Sequence, residues 1–93
     1  MITYEDLHNN YKVKTNEEKI IEIRTSFLNM IDMMIKKEYT DGNQYYDVFT
    51  EHLEKNYITE RELCDILAGV GYKTETHSSF FGKIIRIYLN KEN

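Results

Sequence analysis

Residues 80–93 read FFGKIIRIYLNKEN, and the fold turns on how they are read. The doublets Phe80–Phe81 and Ile84–Ile85 stand at helical spacing. Phe81, Ile84, Ile85 and Tyr88 then share one face of a helix that Ser78 or Ser79 would cap. The run Ile84–Leu89 is also rich in β-branched and aromatic residues, which suits a strand. The helical spacing takes precedence, which makes the chain mainly α.

Toward the N-terminus, YKTETHSS (72–79) is polar and reads as a loop. Before it, Thr59 and Glu62 have the spacing of a capping box, and Ile58 and Leu63 that of a hydrophobic staple. Leu63, Ile66, Leu67 and Val70 form the buried face of that helix, and Gly69 and Gly71 end it. Asp41–Gly42–Asn43 signals a turn, and Asp41 with Gln44 opens a further helix to about Lys55. The longest periodic run is TNEEKIIEIRTSFLNMIDMMIKKE (15–38), with Thr15 and Glu18 as its capping box. Ile20, Ile23, Phe27, Met30, Ile31 and Met34 make its first apolar stripe; Ile21, Leu28 and Ile35 make a second. A helix this apolar needs cover on more than one side. Thr3 caps a short helix over Tyr4–Asn10, and YKVK (11–14) alternates like a short edge strand.

The expected architecture is one domain, 1–93, of four to five helices around the helix at 15–38, ending in a helical hairpin. The alternative is a winged-helix-like α+β domain with a short strand near 84–89, paired with YKVK or another edge segment.

Lys and Arg total 12 against 16 Asp and Glu, a net charge of −4. That disfavours non-specific binding to nucleic acid. Within 72–91, however, Lys73, Lys83, Arg86 and Lys91 face Glu75 alone, a local basic patch. The lone Cys64 excludes an internal disulfide and fits a reducing compartment. The N-terminus lacks a signal-peptide pattern, and Glu22, Arg24 and Asp32 interrupt the longest apolar run, so a cytoplasmic, non-membrane protein is expected.

Chemistry-bearing motifs are absent. Asp41, Asn43, Tyr45 and Asp47 begin like a calcium loop, but Tyr46 and His52 occupy the places that need glycine and a bidentate carboxylate. His8, His52, His77 and Cys64 hold no metal-ligand spacing, and no phosphate-binding glycine loop occurs. No catalytic residue, metal or cofactor is expected, and the chain reads as a non-enzyme.

The stretch ITERELCDILAGVGYKTETHSSFFGKIIRIYLN (58–90) resembles a helix-turn-helix unit, with a capped first helix, a glycine-containing break and a second helix opened by His77–Ser78–Ser79. The resemblance implies sequence-specific DNA binding, or docking onto another protein. Its DNA contacts would be Lys73, His77, Ser78, Ser79, Lys83 and Arg86.

Small size, an acidic balance and many tyrosines favour a protein partner over DNA. The expected function is a non-catalytic accessory, adaptor or inhibitor protein. Tyr39, Tyr45, Tyr46 and Tyr57 form one candidate interface. The stripe Ile21, Leu28 and Ile35 is another, open to a partner or to a homodimer. A bias toward Lys, Asn, Ile and Tyr is common in phages and other mobile elements of AT-rich genomes. By that association the partner is a replication or defence enzyme. A small DNA-binding regulator is the alternative.

Overall fold

A computed structural model describes residues 1–90; Lys91, counted above in the basic patch, lies outside the described residues. Along the chain run α1 (Tyr4–Asn10), α2 (Asn16–Thr40), β1 (Tyr45–Phe49), α3 (Glu51–Lys55), α4 (Glu60–Gly69), β2 (Lys73–Ser79) and β3 (Gly82–Tyr88). The strands form one antiparallel sheet in the order β1–β3–β2. The fold is α+β, so the mainly α helical bundle is overturned.

Three segments account for the correction. Residues 44–55 divide into β1 and α3. Asp41 does not open a helix; it ends α2, its N–H bonded to Lys37 O. That leaves YYDVF, composed mostly of strand-favouring residues, to extend. Residues 72–79 are β2 rather than a loop, an edge strand whose polar side chains suit water. Residues 82–88 are β3 rather than a helix. The pair Ser79↔Gly82 closes the hairpin around Phe80 and Phe81, and Gly82 follows at φ 129°, a conformation that disfavours a side chain.

The register explains why β3 resembles a helix. Ile85 and Ile87 face inward and are fully buried; Ile84, on the opposite face, is buried too. Apolar residues on both faces, Ile84 on one and Ile85 and Ile87 on the other, give a short apolar run that periodicity alone does not separate from a buried helix. The α+β alternative is nearer in class but not in pairing. It places a strand near 84–89, but β3 pairs with β1 and β2, and residues 11–14 are not in a strand. The helical hairpin also moves. The adjacent helices are α3 and α4 around Asn56–Thr59, and among the described residues no helix follows Ser79.

The core sits between α2, the inner sheet face and α3–α4. Phe27, Ile31 and Ile35 of α2 meet Val48, Ile85 and Ile87 of the sheet and Leu53, Ile58, Leu63 and Leu67 of the helix pair. Each contributes about 1.5–3 kcal/mol relative to exposure. Both capping boxes form, at Thr15–Glu18 and Thr59–Glu62. Arg24 ties α2 to the helix pair: its guanidinium donates to both Glu62 carboxylate oxygens and to Tyr57 O. Tyr57 holds φ 58°, left-handed and uncommon for a tyrosine, so this carbonyl is captured at the turn that reverses the chain.

The N-terminal part stands apart. No residue of α1 is buried, and the molecule is drawn out to 60 × 26 × 26 Å.

Leu63→Ala is expected to lower unfolding free energy by about 2–5 kcal/mol, and Phe81→Ala to change it by under about 0.5 kcal/mol. Urea titrations of the two variants check this.

Candidate docking surface

The register sorts the hairpin's side chains. On the outer face of the sheet, Asp47, Arg86 and Glu75 stand side by side across β1, β3 and β2, with Tyr45, Tyr88 and Lys73 in the next row. Arg86 Nε and Nη2 donate to the two Asp47 carboxylate oxygens at 2.9 and 3.1 Å. The guanidinium carbon also lies 3.9 Å from the Tyr45 ring centroid, a cation–π contact. The hydrogen bonds to Asp47, more than any other cause, hold the Arg86 pKa above its ordinary value. Tyr88 Oη donates to Glu75, lowering the Glu75 pKa and raising that of Tyr88. His77 Nε2 lies 3.4 Å from Glu75 Oε1, without hydrogen-bond geometry.

This arrangement engages most of the residues assigned to DNA. Lys73, His77, Ser78, Ser79, Lys83 and Arg86 do share one element pair, the β2–β3 hairpin, but on both faces of it. Lys83 Nζ pairs with Glu60 of α4 at 3.1 Å, and Arg86 is held by Asp47. Ser79 Oγ donates to Gly82 O at 2.7 Å inside the turn, and Ser78 stands opposite Lys83. Among the described residues Lys73 makes no ion pair. The exposed side of α4 carries Arg61 and Asp65, 4.0 Å apart, with Glu60 and Glu62 in its first turn. Those carboxylates repel phosphate where a reading helix would approach it.

The tyrosines are dispersed. Tyr45 and Tyr46 are neighbours in β1 and so point to opposite faces. Tyr45 meets Arg86, while Tyr46 packs against the core, where burial raises its pKa. Tyr39 borders a groove with Tyr72 and Leu89, and Tyr57 borders one between α3 and α4 with Leu53 and Ile58. Of the second α2 stripe, Ile35 lies in the core and Leu28 packs half-buried against it, leaving Ile21 exposed.

Two exposed apolar features were not assigned from sequence. Phe80 and Phe81, at the hairpin tip, are 98% and 83% exposed with their rings edge-to-face. The signal was present in Ser78–Ser79–Phe80–Phe81–Gly82, a small-residue entry and a glycine exit around two residues. The second is a groove of about 490 Å³ between α2 and β1–α3, lined by Phe27, Met30, Val48, Phe49 and His52.

No polar or charged side chain among the described residues is buried, and no group of three His, Cys, Asp or Glu could hold a metal ion. Cys64, on α4, is half-buried against the core; His8, His52 and His77 lie on α1, α3 and β2. Among the described residues no helix is long and apolar enough to cross a membrane. No family model matches the chain, and no curated protein or solved structure is significantly similar to it.

The Arg24 hydrogen bonds lower the Glu62 pKa, and Tyr88 lowers that of Glu75. A carboxylate with a depressed folded-state pKa stabilises the fold above the ordinary carboxylate range. That stabilisation is lost as pH falls through the folded value. The melting temperature is therefore expected to drop on acidification through that range. Glu62→Gln should melt lower at neutral pH and converge on the wild type in acid, as thermal melts at a series of pH values would show.

Proposed function

We propose that the protein is a non-catalytic accessory module that works by holding another protein, with the β2–β3 hairpin tip as its contact. One observation carries this reading. Lys83 and Arg86 of the hairpin are held by carboxylates of the same chain, whereas Phe80 and Phe81 stand in water at its tip. Paired cations have little to offer phosphate, while two exposed aromatic rings on a short, hydrogen-bonded turn can fill an apolar pocket at small entropic cost. The tip extends beyond β1, whose pairing with β3 stops at Phe49↔Ile84, so it projects from the sheet.

DNA binding is the competing reading, and one experiment separates the two. The intact chain, a Phe80→Ser/Phe81→Ser variant and a Lys83→Ala/Arg86→Ala variant are used as bait in host extract and in duplex-DNA titrations at several salt concentrations. The expected result is a stoichiometric protein companion, kept by the wild type and lost from the phenylalanine variant at an unchanged melting temperature. Salt-steep DNA binding that vanishes in the Lys83/Arg86 variant would overturn the reading.

A further inference from the structure

We propose that the molecule pairs with a second copy of itself edge to edge, β2 against β2 in antiparallel sense about a two-fold axis at Thr76, joining the two sheets into one. The contact is the outer edge of the hairpin rather than its tip, so it does not rest on the reading above.

The backbone of β2 has an unused side. In the order β1–β3–β2 it is an outer strand. Between β1 and β3, Thr50 N–H donates to Lys83 O and Leu89 N–H donates to Gln44 O. Bonded and non-bonded pairs alternate along an antiparallel ladder. With the register, that alternation turns the main-chain groups of Ile85 and Ile87 toward β1, and those of Ile84, Arg86 and Tyr88 toward His77, Glu75 and Lys73 of β2. The N–H and C=O groups of Thr74, Thr76 and Ser78 therefore point away from β3, to the open edge. Thr76 and Ser78 are exposed, so α4, whose Glu60 reaches Thr76 Oγ1 from the inner face, does not close this edge. The strand pairs without interruption from Lys73 to Ser79 and contains no proline, so neither a bulge nor a missing donor blunts it. That leaves its charges to decide what pairs there.

The side chains of β2 are their own complement in reverse. An axis at Thr76 sets Thr74 opposite the second copy's Ser78, and Thr76 opposite the second copy's Thr76. The outward-facing groups then meet, and each such pair exchanges two backbone hydrogen bonds. Hydroxyl side chains facing each other across strands are favourable neighbours. On the outer face, Glu75 stands opposite the second copy's His77, at the non-bonded positions where side chains come closest. Tyr88 donates to Glu75 Oε1, and among the described residues Oε2 accepts no hydrogen bond. His77 Nε2, 3.4 Å from that Oε1, has no hydrogen-bond partner either. Across the axis the two carboxylates and two imidazoles alternate around a square, each unlike both of its nearest neighbours. Lys73 meets only the second copy's Ser79.

Other pairings lose this complement. Moving the axis by one residue sets Glu75 opposite Glu75, or His77 opposite His77. At the β1 edge the main-chain groups of Tyr45, Asp47 and Phe49 face outward, and an axis through the middle of that strand sets Asp47 opposite Asp47. Like charges directly opposite are unfavourable. The α2 flank of Ile23, Met30 and Met33 and the N-terminal stripe of Tyr4, Leu7 and Tyr11 are exposed and apolar, but they lie on or beside helices and offer no ladder of unpaired backbone groups. The β2 ladder ends at Lys73 and the second copy's Ser79, which leaves Phe80 and Phe81 past its end in both copies.

The test is the solution mass of the intact chain by light scattering over a dilution series, with far-UV circular dichroism as the fold control. The wild type is expected at twice the 11.2 kDa chain mass. Thr76→Pro removes an outward N–H and no β2–β3 bond, and should be monomeric with an unchanged strand signal. His77→Glu sets carboxylates opposite each other and should weaken the dimer at least tenfold; adding Glu75→His to it should restore the affinity. This second pair of variants decides the question if proline disturbs the hairpin. Thr76→Cys in a Cys64→Ser background should link the two copies on mild oxidation, because only a residue on the axis faces itself, and Ser78→Cys in that background should not. Phe80→Ser/Phe81→Ser should remain dimeric, which separates this outcome from that of the tip contact. A monomeric wild type would overturn the proposal. So would a dimer that persists in folded Thr76→Pro, charge reversal without rescue, or linkage at residue 78 but not at 76.

Discussion

β3 is the constraint on which the rest of the domain depends. It alone has a strand on each side, and its Ile85 and Ile87 are completely removed from water. β1 and β2 are edges held in place by it, and α2 and α4 lie over the face it fills. Ile84 is buried on the outer face next to Ile85 on the inner, ahead of the half-buried Arg86 and Tyr88, and that doublet erases the alternation that would have announced a strand. Arg24 serves the same layer from outside. By joining Glu62 and Tyr57 to α2, it fixes the helix pair against the sheet through charge-assisted hydrogen bonds rather than further apolar area.

Much local chemistry between residues close in sequence was legible, though the box spacing of Asp41 and Gln44 and the caps at Ser78 or Ser79 opened no helix. Both capping boxes, the short helix capped by Thr3 and the turn at Asp41–Asn43 stand where side-chain spacing put them. The strands were not legible, because pairing supplies what local pattern lacks. YYDVF reads equally as a helix face until Ile84–Tyr88 is placed beside it. KTETHSS carries no hydrophobic signal, because an edge strand can satisfy its backbone on β3 and leave its side chains wet. The basic patch was legible as composition and misleading as a site. Two of its cations, Lys83 and Arg86, are paired with Glu60 and Asp47, which lie far off in sequence. The exposed Phe80 and Phe81 were lost for the same reason as β3: as a helix, their stretch would have turned Phe81 inward.

Lys83 and Arg86 are therefore engaged within the chain. The sheet's outer face is a closed grid in which Arg86 serves Asp47 and Tyr45 while Glu75 serves Tyr88 and His77. Each pair is partly exposed and modest in energy, and Lys73 on the same face makes no ion pair among the described residues. Among the described residues the exposed apolar groups gather at the hairpin tip, the α2 flank and the N-terminal stripe.

The proposed contact is two rings on a tight turn, small and convex, a shape that suits a pocket on a larger protein better than a flat surface. The α2 flank is linear and carries a lysine at each end, Lys19 and Lys37, so its own reverse would set like charge against like.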